Sequence, residues 1–277
     1  MNAVASSADA FGATATVACQ RWRRGRESYR PAGEVFDHRR ASVSVIDAAT
    51  AKLFVRDHHY SGSFPASRLS VGLFRKRSFQ AEQLCGVATF SVPMTQSVIP
   101  AYFPELKASD GVELGRLVLL DEVEANGETW MLARAFRALR EALPQVRGVV
   151  AYCDPLPRHN IRGEMVKRGH IGTIYKAHNA AYRGRSRART LLMLPSGNVA
   201  NERSLSKVRN EERGAAGVER DLRAQGAPGR FFAESGREWV ERLVEEGFLR
   251  RVAHPGNHAF TWAFADHRGG RRHGRCS

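Results

Sequence analysis

The order strand, helix, strand between residues 113 and 153 constrains the fold of this chain more than any other feature. Residues 113–120 and 146–153 are apolar runs, and from about residue 128 to 143 apolar side chains recur at helical spacing. Two strands of one sheet that are joined through a helix run parallel. Apolar runs at residues 69–74 and 84–90, separated by a charged turn, predict an antiparallel hairpin. We therefore expect an α/β (α+β) fold, with a mixed sheet of six to seven strands and helices on both faces.

The remaining segments predict smaller elements around this sheet. Asp47 is the expected N-cap of a helix that follows a short strand, and Ser204 or Ser206 is expected to begin another helix. We predict a helix near residues 162–168, and strands over 173–178 and 190–195 that close the sheet. The predicted domains are a disordered segment (1–42), the main domain (43–200), a charged helical linker (201–229), a winged-helix-like module of one helix and a strand hairpin (230–266) and a basic tail (267–277).

The charge balance favours a nucleic-acid partner. The chain has 43 Lys and Arg against 28 Asp and Glu, a formal net charge of +15, and most of the cations are Arg. The planar guanidinium group suits phosphate oxygens, so an excess of Arg points to DNA or RNA. A genome rich in G and C would also raise the Arg content, although it would not by itself unbalance the charge.

Cysteine usage and hydropathy limit the class of protein further. The four cysteines have neither a CxxC spacing nor a Cys/His spacing suited to zinc, which argues against a disulfide framework and a structural zinc site. That usage fits a reducing cytoplasm. The sequence has no run of eighteen apolar residues that would cross a membrane, and the N-terminus does not have the pattern of a secretory signal.

Several polar side chains are candidates for an active site. Asp154 follows a buried strand and precedes a proline, at the end of a sheet where α/β proteins bind ligands. His59 and Tyr60 follow a predicted helix in a loop rich in Ser and Gly, and with Asp154 they could hold a metal or move protons. Arg116 lies in an apolar strand, on the face predicted for Leu114, Val118 and Leu120, so it needs a carboxylate partner or a ligand phosphate. Tyr175 is either a core aromatic or a proton relay.

Four motifs in order resemble the Mom family of phage DNA-modification proteins: HHYSG at 58–62, ELGRLVL at 113–119, AYCDP at 151–155 and GHIGTIYKAHNAAYRG at 169–184. The segments LSKVRNEERGAA and HPGNHAFTWAF are similar to the tail of that family. The resemblance covers roughly residues 45–264. It implies a fold like that of the GCN5-related N-acyltransferases (GNAT), with residues 43–200 as the catalytic domain. It also implies an enzyme that adds a carbamoylmethyl group to N6 of adenine in double-stranded DNA and so protects phage DNA from host restriction, in the cytoplasm of the host cell.

The same resemblance implies roles for individual residues. An iron site proposed for the family corresponds here to His59, Tyr60 and Asp154, and Arg116 and Tyr175 match further important positions. Arg183, Arg185, Arg187 and Arg189 form an arginine-rich segment that we expect to contact the DNA backbone.

One segment departs from the acyltransferase pattern. The expected glycine-rich loop that cradles the CoA pyrophosphate is replaced by DEVEANGETW, which has a single glycine and four acids. The sequence therefore argues against acyl-CoA and for a different donor, such as a glycine-derived one. Two alternatives stay open: an acyl-CoA-dependent N-acetyltransferase that acts on protein or a small molecule, and a phage protein that binds DNA without catalysis.

Overall fold

The computed structural model describes residues 18–23, 26–31, 35–59, 61–76 and 81–265. The strands are β1 (Ala18–Arg23), β2 (Arg26–Pro31), β3 (Ala41–Ile46), β4 (Ser67–Arg75), β5 (Gln83–Ser91), β6 (Gly111–Leu119), β7 (Gly148–Cys153), β8 (Arg158–His159), β9 (Met165–Lys167), β10 (Ala181–Arg185), β11 (Arg189–Met193), β12 (Arg250–His254) and β13 (His258–Ala263). The α-helices are α1 (Ala48–His58), α2 (Val98–Tyr102), α3 (Gly127–Ala142), α4 (Thr173–Ala177), α5 (Glu202–Arg209), α6 (Ala215–Ala224) and α7 (Gly236–Glu245). Two short 3-10 helices lie at His38–Arg40 and Ala108–Asp110.

A mixed sheet of seven strands forms the centre of the fold, in the order β10-β13-β7-β6-β5-β4-β3. The predicted hairpin is confirmed as β4 and β5, which pair antiparallel. The predicted crossover is also confirmed, because β6 and β7 pair parallel and α3 connects them. Their pairing extends only from Gly111 with Gly148 to Glu113 with Val150. Beyond Glu113 the two strands continue without ladder pairs between them.

Helices cover both faces of this sheet, as predicted. Alternation along β5 places Val87 in the apolar cluster with Phe54 of α1, and Ala88 in the cluster with Met131 of α3. The Asp47 carboxylate caps α1 by accepting a hydrogen bond from the Thr50 N–H at 2.8 Å, which confirms its predicted role. Helix α1 therefore packs on one face of the sheet and α3 packs on the other.

Several of the smaller predicted elements are wrong. Residues 162–168 form a turn and strand β9 instead of a helix, and residues 173–177 form helix α4 instead of a strand. Strand β11 pairs with β12 in a separate sheet and does not close the central one. The N-cap of α5 is Asn201, which accepts from the Ser204 N–H, so neither Ser204 nor Ser206 begins that helix. These segments are short, and so carry little periodic signal.

The chain divides into two compact units, which we call the sheet unit (1–153, 172–184 and 258–277) and the helical unit (154–171 and 185–257). The predicted boundaries at residues 200 and 229 do not coincide with this division. Leu205 of α5, Leu222 of α6 and Trp239 of α7 share one buried cluster, so residues 201–229 belong to a core and are not a linker. The predicted terminal hairpin is also wrong, because β12 pairs with β11 while β13 pairs with β7.

At the N-terminal side, residues 18–31 fall inside the segment predicted as disordered. The structure describes β1 and β2 there as an antiparallel pair. Residues 1–17 and the predicted basic tail (267–277) lie outside the described residues. Within the described ranges, no helix is both long and apolar enough to cross a membrane.

Candidate active site

A chain of hydrogen bonds connects two of the predicted site residues in the sheet unit, His59 and Arg116. The Arg116 guanidinium donates through Nη2 to Ser63 Oγ at 2.8 Å and through Nε to the Ser63 carbonyl at 2.9 Å. Ser63 Oγ donates to Ser61 Oγ at 3.3 Å, and Ser61 Oγ lies 2.8 Å from His59 Nδ1. Arg116 therefore holds the loop that follows α1, and the loop carries the connection to the imidazole.

The direction of these hydrogen bonds fixes the tautomer of His59. The Ser61 backbone N–H also donates to Nδ1, at 3.2 Å. Nδ1 must then be an acceptor, so the neutral imidazole carries its proton on Nε2. Every hydroxyl between Arg116 and His59 donates in the same direction, toward the ring. A guanidinium at the start of such a chain polarises each successive donor.

Arg116 reaches this loop because of an irregularity in β6. The register between β5 and β6 shifts so that Thr89 faces Arg116 while Phe90 faces Leu114. This bulge at Gly115 breaks the alternation of faces. Leu114 packs in the cluster on the α3 side, and Val118 and Leu120 pack on the α1 side. Arg116 is therefore on the same face as Val118 and Leu120, as predicted. Leu114 is on the opposite face, so that part of the prediction is wrong.

The expected carboxylate partner or ligand phosphate of Arg116 stays a prediction, and its described hydrogen bonds go to a loop and to its own strand. The guanidinium donates to the Ser63 carbonyl, the Ser63 hydroxyl and the Gly115 carbonyl. Glu113 is near enough to Arg116 for the two charges to interact. The sequence could not identify Ser63 as a partner, because loop contacts across fifty residues leave no periodic signal.

Glu113 is a half-buried carboxyl group at the point where β6 and β7 stop pairing. Burial raises its pKa, and the positive charge of Arg116 partly offsets that shift. Tyr152, on the neighbouring β7, has a raised pKa because of burial and of its hydrogen bond with Tyr102. The rings of Tyr102 and Tyr152 meet edge to face, with 6.2 Å between their centroids. A half-buried carboxyl group with a raised pKa is suited to accept or hold a proton.

Glu113→Gln is expected to make the protein more stable at pH 8 by about 1 kcal/mol, because the charged carboxylate is only partly hydrated. A raised pKa means that the contribution of Glu113 to stability is present below its unfolded pKa, and is lost as the pH rises through its folded pKa. Wild type and variant should therefore be equally stable near pH 4. Urea unfolding at both pH values measures this. Glu105, which is exposed, provides the control for the substitution itself: Glu105→Gln should change the stability at pH 8 by no more than about 0.5 kcal/mol. An equal effect of Glu113→Gln at both pH values would contradict the argument.

Asp154 lies in the helical unit, at the centre of a cluster of cations. Its side chain is 11% exposed, and Lys167, whose side chain is 2% exposed, lies 3.3 Å from Oδ2. Arg158 forms an ion pair with the same oxygen. The other oxygen, Oδ1, accepts from the Leu156 N–H and from His254 Nε2, both at 3.0 Å. Burial alone would raise the pKa of Asp154, but Lys167 and Arg158 hold it well below the usual range.

The partners of Asp154 are fixed by further hydrogen bonds. Lys167 Nζ also donates to the carbonyls of Asp154 and Leu156, at 2.9 and 3.0 Å. The Gly256 N–H donates to Nδ1 of His254 at 3.0 Å, so Nε2 carries the proton that points to Asp154. Asp154 therefore ties the segment after β7 to β9 and to the end of β12. The sequence indicated Asp154 but not its partners Lys167, Arg158 and His254, since no local pattern distinguishes them.

The predicted iron site at His59, Tyr60 and Asp154 stays a prediction, and the described residues do not fit it. Among them no group of three or more His, Cys, Asp or Glu is arranged to hold a metal ion, and Tyr60 lies outside them. Nδ1 of His59 accepts hydrogen bonds from Ser61, and both oxygens of Asp154 face donors, two of them cationic. We therefore assign no chemical step to iron.

Tyr175 lies on α4, in an aromatic cluster of the sheet unit. Its ring meets Phe260 and Trp262 edge to face, at 5.6 and 5.4 Å between centroids. The Tyr175 ring therefore packs as a core aromatic, which is one of the two alternatives predicted from the sequence. The proton-relay role of its hydroxyl stays a prediction.

The four predicted DNA-contacting arginines fall in both units. Arg183 is exposed but donates to Thr261 Oγ1 at 3.0 Å and to the Tyr102 carbonyl at 3.1 Å, within the sheet unit. Arg185, Arg187 and Arg189 belong to the helical unit and are exposed. No carboxylate in the described ranges forms an ion pair with these three. Strand β11, which begins at Arg189, pairs with β12, which carries the exposed Arg250 and Arg251.

The fold is that of a mixed α/β protein. One polar cluster lies in the sheet unit, where the pairing of two parallel strands ends, and the other lies in the helical unit. The model of the Mom protein family matches residues 40–229, and the chain belongs to that family. The match covers His59, Glu113, Arg116 and Asp154. Membership implies modification of phage DNA by a transferase, with DNA as the substrate.

Comparison with solved structures gives a weaker similarity. The crystal structure of Arabidopsis thaliana NAA60 in complex with a bisubstrate analogue shares 13% identity with this chain, covers 57% of it and 94% of its own length, and has a TM-score of 0.35. The comparison with curated proteins gave no match.

Proposed function

We propose that this protein transfers a carbamoylmethyl group to N6 of adenine in DNA, and that this modification protects the DNA from restriction. The observation that carries the proposal is the family match over residues 40–229, which includes the complete connection from Arg116 to His59. The donor would carry the carbamoylmethyl group on a leaving group. In the reaction N6 forms the new bond to carbon, the bond to the leaving group breaks and N6 loses a proton.

The helical unit offers a surface suited to the DNA backbone. Arg185, Arg187 and Arg189 are exposed cations without a described carboxylate partner, and Arg250 and Arg251 lie on the adjacent strand. Guanidinium groups that are not neutralised by carboxylates can replace counterions on phosphates, which makes binding depend steeply on salt. Arg183 supports this role less well, since its guanidinium is used within the sheet unit.

The sheet unit supplies groups suited to the reacting base. Nε2–H of His59 is a hydrogen-bond donor that suits a ring nitrogen of adenine. We propose Arg116 as a positioning residue because it donates to Ser63 of the loop and to the Gly115 carbonyl of its own strand. Glu113, with its raised pKa, is the group we propose to take the proton that N6 releases. The chemistry requires the base to leave the helical stack, because duplex DNA restricts access to N6.

The start of α3 supports a donor other than acyl-CoA. Glu128 lies buried in the first turn of that helix. The preceding loop is fixed by Arg75, which binds the Glu122 carbonyl at 2.8 Å and forms an ion pair with Glu124. Carboxylates at a helix N-terminus occupy the region where a phosphate would be stabilised. This arrangement does not favour the acetyltransferase alternative.

Nucleoside mass spectrometry of plasmid DNA from cells that express the protein tests the proposal. We expect a new adenine nucleoside heavier by one carbamoylmethyl group, absent from cells with the empty vector. Unaltered adenine in the presence of abundant folded protein would overturn the proposal. Stabilisation of the purified protein by acetyl-CoA, together with unaltered DNA, would favour the acetyltransferase instead.

A further inference from the structure

The helical unit contains a cavity of about 190 Å³. In the part of the chain that the structure describes, nine residues line it, four from the segment after β7 and five from strands β11 and β12. They are Leu156, Pro157, Arg158, His159, Leu191, Met193, Arg250, Val252 and His254. Pockets for drug-sized ligands have volumes of about 300–1,000 Å³, so this cavity suits a smaller molecule.

The pairing of β11 with β12 explains which of their side chains face the cavity. Leu191 pairs with Val252, and Arg250 shares the face of Val252 because it lies two residues away on the same strand. Leu192 and its partner Arg251 belong to the opposite face, where Leu192 packs against the buried cluster of the helical unit. One face of the strand pair therefore covers a core, and the other lines the cavity.

Positive charge exceeds negative charge among the residues at this cavity. None of the nine lining residues is acidic. Arg158 and Lys167 both form ion pairs with Asp154, so two cations share one carboxylate. Arg250 is exposed, and no carboxylate in the described ranges forms an ion pair with it. A cavity lined by charge of one sign attracts ions of the opposite sign, here anions.

Two neighbouring groups leave this charge balance unchanged. Glu164, the acid between β8 and β9, accepts a hydrogen bond from Asn160 Nδ2 at 2.6 Å and does not line the cavity. His254 lines it as a neutral ring, because its Nδ1 accepts from the Gly256 N–H while its Nε2 donates to Asp154. The attraction for an anion therefore comes from the two arginines.

The rest of the lining is apolar: Leu156, Pro157, Leu191, Met193 and Val252. An inorganic anion would leave these side chains in contact with water, whereas a ligand with a short apolar group would cover them and gain free energy. A guanidinium group binds a carboxylate through two parallel hydrogen bonds.

We propose that this cavity binds a small organic anion, a carboxylate attached to a short apolar group. The site is separate from the proposed transfer reaction and does not depend on it. Arg250 also belongs to the basic surface of the helical unit, so the test has to distinguish an organic acid from a DNA phosphate. The ligand would connect the segment after β7 to strand β12, two segments that Asp154 already joins through His254.

Isothermal titration calorimetry of the full chain with sodium 3-methylbutanoate tests the proposal. The uncharged 3-methylbutanamide, which has nearly the same shape, should bind at least about 10-fold more weakly. Acetate, which has the charge but not the apolar group, should also bind at least about 10-fold more weakly. Bound 3-methylbutanoate should slow amide hydrogen exchange at residues 156–159 and 250–254, which locates the site.

A pair of neighbouring variants provides the matched comparison. Arg250→Ala should weaken the binding of 3-methylbutanoate by at least about 10-fold. Arg251→Ala removes the same charge from the opposite face of the same strand, and should leave the affinity nearly unchanged. Leu191→Phe should fill the cavity and prevent binding while Arg250 is kept.

Four results would overturn the inference. They are the absence of binding by 3-methylbutanoate, equal losses of affinity in Arg250→Ala and Arg251→Ala, binding of inorganic phosphate as tight as that of the acid, and displacement of the acid by a short DNA duplex. The last two would assign the cavity to a phosphate. All four leave the proposed function standing, because that function is tested separately on the nucleosides of cellular DNA.

Discussion

Asp154→Ala is expected to lower the free energy of unfolding of the helical unit by about 3–5 kcal/mol, because it leaves a buried ammonium group without its carboxylate. Lys167 is 1% exposed and lies 3.3 Å from the Asp154 carboxylate. Lys167 also donates to two carbonyls, which do not neutralise its charge. Hydrogen exchange, resolved for residues 154–171 and 250–257, measures the loss where it is expected.

A double variant shows whether Asp154→Ala destabilises the helical unit because a charge is left unpaired or because side-chain volume is lost. Asp154→Leu combined with Lys167→Met removes both charges, and should recover most of the stability that Asp154→Ala loses. Glu202→Ala is the control for an ordinary ion pair. The Glu202 side chain is 72% exposed beside Arg209, so its loss should cost less than about 1 kcal/mol. If Asp154→Ala costs no more than Glu202→Ala, the cluster does not stabilise the helical unit.

The same cluster changes how the activity of Asp154 variants has to be interpreted. A variant that loses DNA modification and also loosens the segment after β7 does not show that Asp154 touches the substrate. The lowered pKa keeps Asp154 ionised at neutral pH. Its stabilising effect is therefore present above the unfolded pKa of an aspartate and is lost only as the pH falls through the lower, folded value. Asp154→Asn keeps an oxygen for the Leu156 N–H but also removes the carboxylate beside Lys167, so its stability has to be measured together with its activity.

Local periodicity predicted the centre of the sheet well. The β4–β5 hairpin, α3 and the parallel pair β6–β7 each depend on residues close in sequence or on a single helical crossover. Pairings between distant segments could not be predicted in this way. β13 joins β7 across about a hundred residues, so the apparent hairpin with β12 was misleading. Short elements such as β9 and α4 span less than two periods of their own pattern.

The sequence selected individual candidate residues but not their contacts. His59, Arg116 and Asp154 were identified because each is polar at the end of an element or inside an apolar run. Their partners were not, because Ser63 is an ordinary loop serine and Lys167 resembles a surface lysine in sequence. The bulge at Gly115 also reverses the face of Leu114 relative to Arg116. A single extra residue in a strand changes every face assignment before it.

The connection from Arg116 to His59 suggests a division of labour between the two residues. Arg116 binds both the carbonyl and the hydroxyl of Ser63, a geometry that requires the planar fork of a guanidinium. The loop then holds the proton of His59 on Nε2. Loss of Arg116 would affect the orientation of the imidazole before it affected the fold, because Ser61 and Ser63 lie on a surface loop.

Arg116→Ala is expected to reduce DNA modification by at least about 100-fold, the effect typical of a misplaced reactive group. Arg116→Lys should not restore activity, because an ammonium group cannot bind the carbonyl and hydroxyl of Ser63 in the same geometry. Ser63→Ala, which keeps the bond to the carbonyl, should lose less, about 10-fold. The measurement is the ratio of modified to unmodified adenine nucleoside per amount of folded protein. Arg68→Ala is the matched control, since Arg68 also lies in the sheet unit and donates to two backbone carbonyls, those of Ser109 and Gly111. Equal losses in Arg68→Ala and Arg116→Ala would show that only the stability of the sheet unit had changed, and would contradict a positioning role for Arg116.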